Sequence, residues 1–197
     1  MSDTSAVVRG LQGPVVAVPD LLQARELLPA VPGFYGWWSE RGSIHGLPHT
    51  PHPLDDGMSL LYVGISPARE TSQQTLRSRI VGNHINGNVG SSTFRFVLAA
   101  LLLDALELHP RPRGRKVTLD MADNARLSAW QREHLGLTWC ACPRPWVIES
   151  EVIAQLAPPL NSAGNASHPY YPAVRSARAE FRRRASDAFV AESRSSS

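Results

Sequence analysis

Apolar residues at Leu21, Leu22, Ala24, Leu27 and Leu28 recur every three or four positions, which predicts a short helix capped by Asp20 and ended by Pro29 and Pro32. The aromatic run from Phe34 to Ser39 predicts a strand, and the apolar, β-prone run from Ser59 to Ser66 predicts its hairpin partner. Between them, Arg41 to Gly57 is rich in glycine, proline and histidine and reads as an unusually long connection. Leu76, Ile80 and His84 fall at i, i+4 and i+8, which predicts a helix from Gln74, broken by Gly87 and Gly90. Thr93 is the expected N-cap of a long helix, Phe94 to Leu106, apolar almost all round and therefore buried. A basic loop, His109 to Arg115, and a short strand, Val117 to Met121, lead to a helix capped by Asp123 or Asn124. That helix carries Leu127, Trp130, Gln131, His134 and Leu135, and Gly136 is expected to stop it. Leu137 to Cys142 predicts a third strand, and Pro143 and Pro145 lead into the helix of Glu149. A polar loop then runs from Asn161 to Pro172, followed by a basic helix from Val174 to about Phe189. Residues 1–12 have no strong period and are expected to trail loosely, and Ser193 to Ser197 are expected to be disordered.

The pattern predicts an α/β fold of the α+β type, a small three-stranded antiparallel sheet flanked by helices. Residues 1–31 form an N-terminal segment with the short helix, 32–165 the main domain, and 166–197 a basic helix and tail. At 197 residues the chain is long enough for one well-buried core. A net charge of +3 and a pI near 9.2 permit a nucleic-acid partner without demanding one. Cys140 and Cys142 are the only cysteines, so no disulfide framework follows and a reducing compartment is expected. The first residues carry no secretory pattern, and the longest apolar run, Val97 to Leu103, is far short of the roughly 20 residues that span a bilayer. A cytoplasmic protein with no membrane partner is expected.

Five pieces of sequence carry candidate chemistry. They are Gly33-Phe34-Tyr35, Tyr62-Val63-Gly64, Leu76-x-x-Arg79, Glu149 at a helix start and Pro158-x-x-Asn161. In this order, over roughly Pro32 to Asn161, they resemble the GIY-YIG nuclease family. The resemblance implies a compact α/β domain that cuts nucleic-acid phosphodiesters with tyrosines, an arginine and one metal-binding glutamate. It makes Tyr35, Tyr62, Arg79, His84, Glu149 and Asn161 the candidate catalytic residues, Glu149 the ligand of Mg²⁺ or Mn²⁺, and DNA the partner. Many members place a histidine four residues after the arginine, whereas this chain has Asn83 there and His84 one later. The expected function is metal-dependent endonucleolytic hydrolysis of DNA, restriction-like or repair-related. The alternative is a non-catalytic nucleic-acid-binding module on the same fold.

The residue types suit that chemistry. Phosphodiester hydrolysis needs an activated water, a cation against the phosphorane charge and help for the leaving oxygen. Val152, Ile153 and Leu156 set the buried face of the Glu149 helix, so Glu149 sits at its inner edge, where free backbone amides favour the carboxylate, while Glu151 faces solvent. A guanidinium such as Arg79 can hold two phosphate oxygens at once, although Arg77 is equally available. In the family one phenol, most often the first, takes a proton from the attacking water and the other positions it. With an ordinary pKa near 10, a phenol in that role needs a cation nearby.

Ser92, Thr93 and Arg95, with Arg77, Arg182 and Arg183, are candidate phosphate contacts, although a simple helix cap and a solvated face explain them equally well. His45, His49 and His52 could bind zinc but read more simply as loop, and Cys140 and Cys142 read as buried thiols.

Overall fold

The computed structural model describes residues 3–195, with side chains for 4–188. Its centre is the predicted antiparallel trio: β2 (Gly33–Glu40) lies between β4 (Asp55–Ser66) and β7 (Leu135–Ala141). Two two-residue strands extend it at the edges. β1 (Val16–Ala17) pairs with β7 and β3 (Pro51–His52) with β4, giving five strands in the order β1-β7-β2-β4-β3 rather than three. Both edge strands are too short to carry a period, so the alternation signal had nothing to register.

Helices cover both faces. One face packs Tyr35, Trp37 and Leu61 against α2 (Val18–Gln23), α3 (Thr93–Leu101), α4 (Met121–His134) and α6 (Tyr171–Ser195). The other packs Phe34, Trp38, Leu60 and Val63 against α1 (Asp3–Leu11) and α5 (Glu149–Leu156). Each centrally paired strand is thus apolar on both faces, and β2 is buried from Gly33 to Ser39.

Several boundaries differ from the expectation, each for a local reason. Residues 3–11 do not trail: Thr4, Val7, Val8 and Leu11 are buried and recur at helical spacing, a stripe one helix face wide. The cap of α2 is Ala17, with Pro19 and Asp20 already inside the first turn. Asp120 caps α4, its side chain accepting from Asp123 N at 2.9 Å. Gly136 does not end that helix but lies inside β7, where an added Cβ would collide with Val15, just before β1. The helix from Phe94 ends at Leu101, short of Leu106. The basic loop forms a hairpin, β5 (Arg111–Arg113) and β6 (Lys116–Thr118), turning at Gly114 with φ +59°. At the C-terminus α6 continues to Ser195, and Ser196 and Ser197 lie outside the described residues. No described helix is long and apolar enough to cross a membrane.

Candidate active site

Two departures from regular secondary structure bring the candidate residues together. The first is in β4. Residues 62–66 oppose 33–37 of β2, but Trp38 opposes Leu60, so Leu61 is an extra residue in the ladder. This bulge puts Tyr62 on the face of Trp37 and Tyr35, whereas unbroken alternation from Leu60 would have sent it to the other face. Tyr35 pairs directly with Gly64, and its phenol lies across that glycine: a Cβ on Gly64 would overlap the phenol oxygen and Cζ. Gly64→Ala is therefore expected to displace the Tyr35 ring. A shift of about 1 Å in a catalytic group costs on the order of a hundredfold in rate, so cleavage by this variant should fall by that much while its circular dichroism is unchanged. A variant as active as wild type would mean that the phenol position is unimportant.

The second departure is the segment Ser78–Ile85, a π-helix rather than an α-helix, with Asn86 N donating to Val81 O at 3.0 Å in the i→i+5 pattern. In this wider winding, residues five apart stack much as residues four apart do in an α-helix. His84 therefore turns inward below Arg79, while Asn83 accepts from Gln74 Nε2 at 2.8 Å away from the sheet. His84 Nε2 lies 2.7 Å from the Tyr35 hydroxyl and His84 Nδ1 lies 2.6 Å from Ser92 Oγ. Ser92, rather than Thr93, caps α3 and accepts from Arg95 N at 3.0 Å. The ring thus links Ser92 Oγ to the Tyr35 hydroxyl, one nitrogen donating and the other accepting. Burial first, and then Arg79 and Arg95, hold the imidazole well below its ordinary pKa of 6.5, so it is neutral. Burial pushes the Tyr35 phenol up and the Arg79 guanidinium beside it pulls the other way.

Arg95, expected to meet phosphate, is instead fully buried. Its Nη1 donates to His84 O and Ile85 O at 3.1 and 3.0 Å and to Gln131 Oε1. Its Nη2 donates to Asn124 Oδ1 at 2.8 Å and Ser128 Oγ at 3.0 Å. The expectation fails because the first turn of α3 is covered by α4, so Arg95 closes the end of the π-helix from inside. Gln131, Asn124 and Ser128 join the site's support in this way, and only the helical spacing of 124, 128 and 131 hints at a shared face in the sequence.

Glu149 opens α5, half-buried, beside Tyr62, Thr93 and Asn161 in a cleft of about 280 Å³. No partner hydrogen-bonds or ion-pairs with it among the described residues, and desolvation raises its carboxyl above the ordinary 4.5 despite the helix N-terminus. Glu151 accepts from Thr4 Oγ1 at 2.6 Å and faces α1 instead. Tyr62 is raised by burial, then by Tyr35 and Glu149. Asn161 turns its amide onto the β4 backbone, accepting from Val63 N at 2.9 Å and donating to Val63 O at 2.8 Å. It holds the strand between Tyr62 and Gly64. Arg79 lines an adjoining cleft, and its Nε is buried without a hydrogen-bond partner among the described residues.

The remaining candidates are dispersed. Arg77 Nε donates to Leu28 O at 2.7 Å, tying the π-helix to the segment before β2. Thr93 is exposed where the two clefts meet, and Arg182 lines the second. Arg183 does not line either of those two clefts; Glu180 and Asp187 ion-pair with it. His52 is buried edge-on to Trp38 with Nε2 2.9 Å from Gly13 O, His49 faces Asp56, and no cluster of three or more metal-ligating side chains occurs among the described residues. A lone, unpaired, partly desolvated carboxylate still fits Mg²⁺ or Mn²⁺, hard cations that keep several waters and take further oxygens from a phosphate.

Neither the curated proteins nor the solved structures contain a match to the chain. The family model for the GIY-YIG catalytic domain matches residues 33–180, from the first residue of β2 into α6. The tyrosines on adjacent strands, the π-helix arginine and the α5 glutamate all lie within that span, and the chain belongs to the GIY-YIG family of nucleases.

Proposed function

We propose that the protein is a metal-dependent endonuclease that hydrolyses DNA phosphodiester bonds. The observation that carries this reading is the Tyr35–His84–Ser92 chain set beside Arg79, with Glu149 and Tyr62 in one cleft. Glu149 would hold Mg²⁺ or Mn²⁺, which when bound supplies positive charge against the phosphorane and the leaving oxygen.

The two phenols have different neighbours, which supports different roles for them. Burial raises the Tyr35 phenol, but Arg79 beside it and His84, in the tautomer that carries its proton on Nε2, both favour a phenolate, so Tyr35 takes the proton of the attacking water. Tyr62 lines the cleft of Glu149 and is raised by burial first and then by Tyr35, so it stays protonated and orients the water by hydrogen bonding. Arg79 holds the phosphate oxygens. Asn161 and Gly64 fix the β4 backbone and the phenol that leans on it.

Supercoiled, linear and branched DNA incubated with and without Mg²⁺ or Mn²⁺ tests the proposal. Cleavage that requires the cation is the expected result. Tight DNA binding with no cleavage under either ion would replace it with the reading of a binding module.

A further inference from the structure

Beside the catalytic cleft runs a second one of about 590 Å³, and Thr93 belongs to both. One wall is the β5–β6 hairpin, which contributes Arg115 and Lys116; the other is α6, which contributes Arg178 and Arg182. With Arg79, the lining holds five cations and no carboxylate among the described residues.

Both walls are fixed. Asn88 accepts from Leu119 N at 3.0 Å and donates to Leu119 O at 2.8 Å, clamping the foot of the hairpin. Along α6, Val174 and Phe181 are fully buried against the core.

The arginines of α6 are sorted by direction. Arg183 pairs with Glu180 and Asp187, and Arg184 with Glu180 and Asp104. Arg178 and Arg182 instead lie over the one Phe96 ring, 5.6 and 4.9 Å from its centroid, with no carboxylate partner among the described residues. Burial first, and then the charge of Arg182, lower the Arg178 pKa. Such a pair gains from an anion between the walls.

We infer that the cleft between the β5–β6 hairpin and α6 holds the sugar–phosphate backbone of DNA beside the bond to be cut. Arg115 and Lys116 grip it from one side and Arg178 and Arg182 from the other. A cleft of about 590 Å³ that continues from Arg79 has room for the phosphates next to the one held there. The inference rests on the nuclease reading only for its choice of ligand.

Binding of a fluorescent duplex to the full chain without metal, followed by anisotropy over a range of salt, tests the cleft apart from cleavage. Arg115→Ala/Lys116→Ala alters exposed residues only. Its affinity should fall at least tenfold near 0.1 M salt, and its log–log salt slope should drop by roughly 1.8, about 0.9 per lost phosphate contact. Arg25→Ala/Arg132→Ala removes the same charge from exposed positions outside the cleft and should change the affinity less than threefold. Equal losses in both variants, an unchanged slope, or a wild type that binds no DNA would each overturn the inference. If the loss is specific to the hairpin but wild type never cleaves with Mg²⁺ or Mn²⁺, the cleft stands and the nuclease reading falls.

Discussion

Glu149→Gln is expected to lower cation-dependent DNA cleavage on the order of a thousandfold or more, because it removes the charge that would hold the ion while keeping the side-chain shape. Several kcal/mol of transition-state stabilisation are at stake. DNA affinity measured without metal should hold or rise, since a negative charge beside phosphate has gone. Glu151→Gln is the internal control and should stay active, because its carboxylate is bonded to Thr4. The raised Glu149 pKa adds a pH test. Desolvation makes the carboxyl hold its proton to higher pH than its ordinary 4.5, so proton and cation compete there and the acid limb of the rate profile should lie above that value. The same shift has a sign for stability. A carboxyl raised on folding contributes stability below its unfolded pKa, and that contribution is lost as pH rises through the folded one. Without metal, then, Glu149→Gln should melt no lower than wild type at neutral pH. A folded Glu149→Gln protein that cuts DNA at the wild-type rate would remove the metal assignment.

The largest loss of stability is expected from Arg95→Met. Arg95 is a buried cation ringed by neutral oxygens, and burial with the nearby Arg132 lowers its pKa only to about 10, so it stays charged. Methionine fills the volume but strands Ile85 O, Asn124 Oδ1 and Gln131 Oε1 without their donor. At about 1–3 kcal/mol for each buried group left unpaired, the total should exceed about 3 kcal/mol. For a chain of this length that corresponds to a melting temperature lower by on the order of 10 °C. Arg95→Lys keeps the charge but not the fork of donors and should fall between the two. A melting temperature within about 2 °C of wild type for Arg95→Met would show that the network is not needed.

The three central strands were legible because Phe34 to Ser39, Ser59 to Ser66 and Leu137 to Cys142 carry their own apolar pattern between turn residues. The tyrosine motifs, Arg79, Glu149 and Asn161 were legible as an ordered set. The side chains that support them were not. Neither the Leu61 bulge nor the π-helix has a signature in composition or period, yet these two features turn Tyr62 and His84 toward the site. Arg95 escapes the sequence because an arginine at the start of a helix reads as solvated until the neighbour that covers it is known. The Arg182 and Arg183 pair read alike for the same reason, and only their neighbours separate them: Phe96 for one, Glu180 and Asp187 for the other.

The winding of Ser78–Ile85 also works as a length buffer. An extra residue between Arg79 and His84 is taken up as a wider turn, so the spacing in the chain changes while the two side chains keep their relation in space. Gly82 lies inside that turn, exposed, with open space where a side chain would go. A chain shortened by that one residue could wind as an α-helix and still present an arginine and a histidine, now four apart, to the same phenol. Motif searches that demand one fixed interval would then treat as different two proteins whose active sites superimpose.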